Sequence, residues 1–298
     1  MGWFEGFDDR RHALGEVGLR VRIGGDPERP PLLLVHGFPQ TSAMWHRVAD
    51  RLAPHFRLVL PDLRGYGESD KPVGAPDHAN YSKRAMAADL HLLMCSLGHE
   101  RYSVAGHDRG ARVAHRLALD QPQAVQRLAL IDIAPTLDMY DATDMRFASA
   151  YYHWFFLIQP TPRPERMIGA DPVSYLRWKL GGWGSASGNH VEAEAMAEYE
   201  RCFSDPATIH GACEDYRASA GIDLVHDRAS RAQGQRVACD TLVLWGQRGV
   251  IQALFDPMTL WRAQCAAALQ GHALPAGHYI PEELPDDTAT HLLRFFGA

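Results

Sequence analysis

The stretch Val104-Ala105-Gly106-His107-Asp108-Arg109-Gly110-Ala111-Arg112 decides the fold of this chain. The half-apolar run 101–105 that leads into it is typical of a short strand, and the apolar spacing over 112–119 predicts a helix. Between them, Gly106-His107-Asp108-Arg109-Gly110 follows the Gly-x-Ser-x-Gly pattern of a nucleophile elbow, with aspartate in the place of serine. Its glycines permit a strained strand-to-helix turn that holds one side chain clear of the backbone.

The aspartate at position 108 determines which chemistry this elbow can perform. A carboxylate cannot replace the hydroxyl of a serine nucleophile in acyl transfer. It can attack a saturated carbon that bears a leaving group, and the ester that results is then hydrolysed by water. The motif therefore predicts a two-step hydrolysis in which Asp108 is the nucleophile.

Composition and charge exclude several function classes. The chain has 298 residues, of which 46% are hydrophobic and 22% charged, which is ordinary for a globular enzyme with a substantial core. Its formal net charge of -6 offers no footprint for nucleic acid or for an anionic membrane, so local cations would have to hold any anionic substrate. No apolar stretch approaches the roughly 20 residues that cross a bilayer, and the N-terminus lacks the features of a secretory signal.

Cysteine usage points to a reducing compartment. The five cysteines are odd in number and widely spaced, with no spacing typical of metal ligands or of a redox motif: Cys95, Cys202, Cys213, Cys239 and Cys265. We therefore expect free thiols in a cytoplasmic protein without a metal centre.

Short apolar runs alternate with helical patterns along most of the chain. Strands are predicted at Arg20–Ile23, which resembles an edge strand, at Pro31–Val35, Phe56–Asp62, Leu128–Ile133 and Thr241–Gly246, and near His272–Leu274. Helices are predicted at Ser42–Leu52 and Tyr81–Leu97. This alternation indicates an α/β fold with a mostly parallel, doubly wound sheet.

The rhythm of strands and helices is interrupted between Thr136 and Arg236, where helical, aromatic-rich segments contain no convincing strand. An insertion of helices between two core strands is typical of a cap over the functional edge of the sheet. The expected organisation is a core domain of residues 1–135 and 237–298 and a helical cap domain of residues 136–236.

The second step of the reaction needs a base and an acid that orients it. His278 follows the last predicted strand, which suits the chain order nucleophile, acid, histidine, and His272 is the weaker alternative. Two carboxylates could orient the base. Asp132 ends a buried strand, where an unpartnered charge is costly, and is preferred over Asp256.

Negative charge that develops on the ester oxygen needs backbone donors. The amides of Phe38 and Arg109 are the natural candidates, although Gly37 and Pro39 would be accounted for equally well by a simple turn. Arg109 and Arg112 stand three residues apart at the start of the elbow helix. Either they form an ordinary charged face or they clamp an anionic substrate, and we expect the clamp, which implies a small carboxylic acid.

An aromatic run in the predicted cap, Tyr151-Tyr152-His153-Trp154-Phe155-Phe156, has two interpretations. Most of its members must pack in the interior of the cap. A departing halide, however, needs hydrogen-bond donors, which His153 and Trp154 could supply together with the phenol of Tyr216. The residues alone do not separate the two.

Taken together, these motifs resemble the fluoroacetate (haloacetate) dehalogenases of the α/β-hydrolase superfamily over nearly the full length of the chain. The specific part is Asp108-Arg109-Gly110-Ala111-Arg112 together with His153-Trp154; the other matching segments are His36-Gly37-Phe38-Pro39-Gln40, Asp62-Leu63-Arg64-Gly65-Tyr66-Gly67, Ile131-Asp132-Ile133, Cys213-Glu214-Asp215-Tyr216-Arg217 and Gly277-His278. The resemblance implies an α/β-hydrolase fold with a helical cap, and a homodimer without cofactor or metal.

The resemblance also implies a role for each site residue. Asp108 would be the nucleophile with Asp132 and His278 as its partners, and Arg109 and Arg112 would bind the carboxylate of a 2-haloacid. His153, Trp154 and Tyr216 would surround the halide, and Trp183 resembles a further residue that lines the pocket. Whether fluoride leaves, or only chloride and bromide, is open at this stage.

Two other functions are compatible with parts of the pattern. An epoxide hydrolase shares the nucleophile and the histidine and would use cap phenols, for which Tyr151, Tyr152 and Tyr216 are available. It has no need of two arginines beside the nucleophile. A non-catalytic ligand receptor on the same fold would have little reason to keep nucleophile, acid and base together.

Overall fold

One eight-stranded sheet organises the computed structural model, which describes residues 3–183 and 190–297. The strands are β1 (Asp8–Ala13), β2 (Gly18–Gly24), β3 (Pro31–Val35), β4 (Arg57–Pro61), β5 (Tyr102–His107), β6 (Val125–Ile131), β7 (Asp240–Gly246) and β8 (Leu269–Leu274). They lie in the order β1-β2-β4-β3-β5-β6-β7-β8. The β1-β2 and β2-β4 pairs are antiparallel and all other pairs are parallel, which confirms the predicted α/β class.

The first strand corrects one expectation from the sequence. Arg20–Ile23 lies in β2, which is second in the sheet, and β1 forms the edge outside it. The exposed, mostly charged run Asp8–Ala13 has no apolar alternation that would predict a strand, but charge suits an edge that must not pair further. Arg22 of β2 is buried because its guanidinium pairs with Glu198.

Helices cover the sheet and fill the long connection between β6 and β7. They are α1 (His46–Leu52), α2 (Lys83–Ser96), α3 (Arg109–Asp120), α4 (Thr136–Asp141), α5 (Met145–Ala150), α6 (Tyr152–Leu157), α7 (Arg163–Gly169), α8 (Pro172–Gly181), α9 (Ala193–Phe203), α10 (Pro206–Ala220), α11 (Ile222–Ala232), α12 (Val250–Leu254), α13 (Pro257–Gln264), α14 (Ile280–Glu283) and α15 (Pro285–Phe296). Short 3₁₀ turns lie at Ser42–Trp45 and Ala79–Tyr81. Helix α2 contacts α3, and α1 contacts α15, as expected for helices that pack side by side on the sheet.

The connection between β6 and β7 contains α4 to α11 and, within its described part, no strand. The helical character expected of residues 136–236 is therefore present in 136–183 and 190–232, although the boundaries of a separate cap domain remain a prediction. Helix α10 approaches the core most closely at Gly211. A Cβ atom there would lie 2.7 Å from the Cα of Gly65, in the loop after β4, so only glycine fits this crossing.

Candidate active site

The elbow forms where β5 meets α3. Asp108 lies between them with φ 48° and ψ -117°, a conformation that non-glycine residues rarely adopt, and its side chain is buried. A Cβ atom on Gly106 would lie 2.6 Å from the carbonyl carbon of Gly110, so the strand and the helix cross too closely for any side chain. Helix α3 begins at Arg109, three residues before the predicted start, because the helix follows directly on the strained residue.

Two partners of the elbow follow other parallel strands of the sheet, β6 and β8. Nδ1 of His278, in the loop after β8, lies 2.5 Å from Oδ2 of Asp132, which directly follows β6. The other oxygen of Asp132 accepts a hydrogen bond of 2.9 Å from the amide of Gly246, and this fixes the carboxylate. Nε2 of His278 faces Oδ2 of Asp108 at 3.8 Å and has no hydrogen-bond partner. The ring is thus oriented with one nitrogen free beside the nucleophile.

Asp256 and His272, the sequence alternatives to Asp132 and His278, lie outside the group around Asp108. Asp256 is exposed and caps α13 by accepting hydrogen bonds from the amide and hydroxyl of Thr259. His272 is exposed and contacts His291, with 3.3 Å between the two Nε2 atoms. Neither residue is part of the group around Asp108.

The histidine next to the nucleophile has a positioning role that the sequence reasoning missed. Nε2 of His107 donates a hydrogen bond of 2.8 Å to the backbone carbonyl of His278. Burial lowers the pKa of His107 to about 3, so the ring is neutral and holds the loop without adding charge. Its place inside the glycine motif was a signal that pointed to this role.

The ionisation of Asp108 suits a nucleophile. Burial by itself would raise the pKa of its carboxyl, but the nearby His278, Arg112 and Arg109 outweigh burial and keep this pKa below its usual value. The amide of Phe38 donates a hydrogen bond of 3.1 Å to Oδ1 of Asp108. Within residues 3–183 and 190–297 the amide of Arg109 makes no hydrogen bond to this carboxylate, and its oxyanion role stays a prediction.

Both arginines of the predicted clamp are buried, and each is held from behind. In Arg109, Nε and Nη2 donate to the carboxylate of Asp215 at 2.9 and 2.7 Å, and Nη2 also donates to Ser219 at 2.6 Å. In Arg112, Nη1 donates to the carbonyl of Ala134 at 3.0 Å and to Thr136 at 2.9 Å. In the described part of the chain, Nη1 of Arg109 and Nε of Arg112 are buried without a partner, which leaves one nitrogen of each arginine for a ligand.

Asp215 is the second residue that the sequence reasoning missed. Its carboxylate binds Arg109, accepts a hydrogen bond of 2.7 Å from the hydroxyl of Tyr66, and pairs with the ammonium of Lys83. Burial would raise the pKa of Asp215, but the two cations outweigh it and keep the carboxyl ionised. The motif around Tyr216 contains this aspartate, yet nothing in that motif indicates a partner that lies 106 residues away.

Three donors of the aromatic cluster share an unusual state. Nδ1 of His153, Nε1 of Trp154 and the hydroxyl of Tyr216 are all buried and have no hydrogen-bond partner among residues 3–183 and 190–297. The rings of Tyr216 and Trp154 lie under the guanidinium groups of Arg109 and Arg112, at 4.1 and 4.8 Å. Buried polar atoms are rarely left unsatisfied in proteins, so this group has the character of a ligand site rather than of simple packing.

The indole of Trp183 closes one side of this group. Its ring centroid lies 4.8 Å from that of His278 and 4.7 Å from that of His153, and its backbone carbonyl accepts a hydrogen bond of 2.9 Å from the amide of His278. The half-buried Trp183 therefore lies beside His278 and His153, and its role as a residue that lines the substrate pocket stays a prediction.

Comparison with known proteins agrees with this geometry. A family model of the alpha/beta hydrolase fold matches residues 30–285. The chain is 47% identical to a fluoroacetate dehalogenase from Burkholderia sp over 292 residues, which cover 98% of this chain and 94% of that protein. The chain belongs to the α/β-hydrolase family, in its haloacetate dehalogenase branch.

Two further relatives place this α/β hydrolase more finely. A solved structure from Nostoc sp PCC 7120, provisionally assigned to the α/β hydrolases, has a TM-score of 0.95 and 49% identity and covers 98% of this chain and 99% of that one. A soluble epoxide hydrolase from Corynebacterium sp. (strain C12) is 32% identical over 269 residues, 89% of this chain and 90% of that protein. The sequence is thus more similar to the dehalogenase than to this epoxide hydrolase.

A separate group of ligating side chains in this α/β hydrolase is explained by ion pairs. The ligand atoms of Glu165, His210 and Glu214 lie within 4.8 Å of one another. Nη1 of Arg217 lies 2.7 Å from a carboxylate oxygen of each glutamate, and Nε2 of His210 accepts a hydrogen bond from the amide of Gly74. The guanidinium of Arg217 already supplies the positive charge that a bound cation would bring to these glutamates.

No helix in the described part of the chain is both long and apolar enough to span a membrane.

Proposed function

We propose that this α/β hydrolase is a hydrolytic dehalogenase that converts haloacetates into glycolate and halide. The observation that carries the proposal is a single buried group around Asp108, which combines one free donor on each of two arginines with three unpartnered donors in the aromatic cluster. A haloacetate is an anion at one end and a halogen at the other, and this arrangement has donors for both. The 47% identity to a fluoroacetate dehalogenase supports the same activity.

In the first step, an oxygen of Asp108 attacks the α-carbon of the substrate. The new carbon–oxygen bond forms as the carbon–halogen bond breaks, and the halide leaves with the bonding electron pair. The free nitrogens of Arg109 and Arg112 hold the carboxylate, so the carbon is presented to Asp108 in a fixed orientation. Each charge-assisted hydrogen bond contributes about 1.5–3 kcal/mol, enough to offset the repulsion from the negative net charge of the protein.

The leaving halide is received by His153, Trp154 and Tyr216, which donate hydrogen bonds to it. Burial and the nearby Lys179 lower the pKa of His153 well below its usual value, so its ring is neutral and can still donate from one nitrogen. Donors that are already aimed at the leaving group need no rearrangement when charge develops there.

In the second step, water attacks the carbonyl carbon of the aspartyl ester. Nε2 of His278 takes a proton from this water, and Asp132 stabilises the imidazolium that forms. The amide of Phe38 already contacts Oδ1 of Asp108 and is placed to donate to the oxyanion. The tetrahedral intermediate then collapses: the bond from the carbonyl carbon to the alkoxide oxygen breaks, the imidazolium of His278 gives its proton to that oxygen, and glycolate departs. The carboxyl of Asp108 loses the second proton of the water and is restored as a carboxylate with one oxygen derived from water.

The covalent step is tested by a single turnover of chloroacetate in water enriched in heavy oxygen, followed by mass spectrometry of the peptide that contains Asp108. We expect the label in Asp108, because water attacks the ester carbonyl. Label in glycolate alone would contradict the ester. The Asp108→Asn variant should release no halide, and native halide release from it would overturn the whole proposal.

Epoxide hydrolysis is the second candidate, supported by the 32% identity to a soluble epoxide hydrolase and by the unpartnered phenol of Tyr216. An epoxide carries no carboxylate, so it would leave the free nitrogens of Arg109 and Arg112 buried and unsatisfied. Turnover of styrene oxide without halide release from haloacetates would favour this candidate over dehalogenation.

Which halogen leaves is a matter of donor strength and of pocket size. We propose fluoroacetate as a substrate because three donors converge where the halide departs, and fluoride is the halide that depends most on such donors. Halide release from fluoro-, chloro- and bromoacetate at equal protein concentration tests this. Activity on chloroacetate without any on fluoroacetate would confine the enzyme to the weaker carbon–halogen bonds.

We further propose that the protein acts in the cytoplasm as a homodimer that needs neither metal nor cofactor. Five free cysteines support a reducing compartment. Light scattering of the purified protein tests the dimer, and full activity after exhaustive chelation tests the independence from metal.

A further inference from the structure

A cavity of about 410 Å³ is lined in part by Trp183. Trp178 and Lys179 of α8, Tyr152 of α6, Trp183 and Arg248 are among the residues that line it. Because the ring of Trp183 also lies beside those of His278 and His153, this residue connects the lining of the cavity to the site around Asp108.

Lys179 is the unusual member of the lining. Its side chain is only 2% exposed, and in the described part of the chain no carboxylate lies within ion-pair distance of its ammonium. Aromatic rings surround the nitrogen instead: it lies 4.2 Å from the ring centroid of Trp183, 5.0 Å from that of Tyr152 and 5.6 Å from that of Trp178. A buried ammonium without an acidic partner is costly, and in a cavity it invites an anion.

We propose that this cavity is an access site for the anionic substrate, in which Lys179 attracts the carboxylate of the haloacid before the substrate passes Trp183 to the arginines. The proposal rests on the proposed function and adds a second anion-binding position to it. Arg248 also lines the cavity and adds to the positive potential, although it pairs with Glu283. The chain as a whole carries a charge of -6, so local cations at the opening determine how often an anion enters.

The charge of Lys179 is itself sensitive to its surroundings. Burial lowers the pKa of its ammonium to about 7, although nearby Asp108 acts in the opposite direction. The other polar groups that face it are Tyr152, His153 and Arg248, of which His153 is neutral. Attraction of an anion should therefore weaken as the pH rises through about 7.

The test replaces Lys179 by Met, which keeps the length and removes the charge, and by Arg, which keeps the charge. In Lys179→Met we expect kcat/KM for chloroacetate to fall about tenfold. It should also lose most of its dependence on ionic strength, because salt screens only the electrostatic attraction between the lysine and the anionic substrate. In Lys179→Arg both properties should persist, and the decline above pH 7 should disappear. Lys71→Met, which removes a lysine outside the lining, serves as the control.

A single-turnover measurement at saturating chloroacetate separates access from chemistry. We expect Lys179→Met to release halide in this experiment at close to the native rate. Two results would overturn the proposal: native kcat/KM with an unchanged dependence on salt, or a loss of the single-turnover rate, which would place Lys179 in the chemical step. If the native enzyme releases no halide from any haloacetate, the proposed function fails instead, and the two failures are thus distinct.

Discussion

At the scale of single residues, the site is defined by which polar atoms lack partners. Among the described residues, Arg109 and Arg112 each use most of their donors on protein acceptors and keep one nitrogen free, and the three donors of the aromatic cluster are free as well. In a folded protein such atoms are expensive unless a ligand satisfies them. The pattern of satisfied and unsatisfied donors on one side chain therefore indicates where the ligand lies.

Replacing Arg112 by Ala tests the clamp. The variant should lower kcat/KM for chloroacetate by 10- to 100-fold, because one charge-assisted contact contributes about 1.5–3 kcal/mol. Arg116→Ala is the matched control, since Arg116 lies on the same helix but pairs with Asp120. Steady-state kinetics and the thermal unfolding midpoint of both variants separate a loss of binding from a loss of folding. Native kinetics in Arg112→Ala would refute the clamp.

Replacing Asp215 by Asn tests whether this residue positions Arg109. The change preserves shape but leaves Arg109 and Lys83 as two buried cations without their shared carboxylate. We expect KM for chloroacetate to rise at least tenfold and the unfolding midpoint to fall, since breaking a buried ion pair costs about 3–5 kcal/mol. Adding Lys83→Met to this variant should restore stability in part but not KM. If KM recovers too, the effect of Asp215 is on folding alone.

At the scale of elements, α10 is the helix that brings cap residues to the core. It carries Asp215, Tyr216 and Ser219, and it crosses the loop after β4 at the contact between Gly211 and Gly65. The nine residues of α10 that follow Gly211 include all three of these side chains. A shift of the helix at the crossing therefore moves every one of them. The positions of the site residues on α10 therefore depend on a crossing at which both residues in contact are glycine.

A methyl group at this crossing should separate the two elements. In Gly211→Ala the added carbon would meet the backbone of Gly65 at 2.7 Å, and relief of this overlap should cost about 1–3 kcal/mol of stability. Because α10 moves, kcat/KM should also fall by about tenfold or more. Gly169→Ala adds the same methyl at the end of α7, where nothing lies within 4 Å, and should leave both quantities unchanged. Equal behaviour of the two variants would argue against a tight crossing.

At the scale of the whole molecule, one buried carboxyl joins the core to the helices between β6 and β7. Oε1 of Glu282 accepts a hydrogen bond of 2.9 Å from the hydroxyl of Tyr199 on α9, and Oε2 contacts the amide nitrogen of Gln40 after β3. Burial raises the pKa of Glu282 to about 8. The amide oxygen of Gln40 is buried and has no partner among the described residues, so an amide with its oxygen and nitrogen exchanged accepts the proton of a neutral Glu282.

This carboxyl makes the stability of the fold depend on pH in a known direction. Between the ordinary pKa of a glutamate, about 4.3, and about 8, the folded state holds a proton that the unfolded state has lost. The free energy of unfolding should therefore decrease as pH rises through this window, by at most about 1.4 kcal/mol per pH unit. Urea unfolding between pH 5 and 9 measures it. In Glu282→Gln the slope should flatten, and an unchanged slope would assign the effect to other groups.

The sequence by itself determined the fold class and the elbow, and it predicted the chain order of the candidate catalytic residues, because these depend on local patterns. Glycine spacing dictates the strained turn around Asp108, and apolar runs dictate buried parallel strands whose ends carry Asp132 and His278. Of the eight strands described, β1 alone was not predicted, because a charged edge strand has no apolar alternation.

The tertiary structure decided what depends on contacts between distant segments. A local pattern favoured Asp132 over Asp256, but no local pattern could show that Asp132 contacts His278, that Asp215 lies behind Arg109, or that Lys179 lines a cavity next to Trp183. Whether a buried donor is satisfied depends on atoms supplied by other elements, and a sequence does not state which elements meet. Which residues pair, and which buried donors lack a partner, therefore depend on tertiary packing. The fold class and the candidate nucleophile depend on local patterns in the sequence.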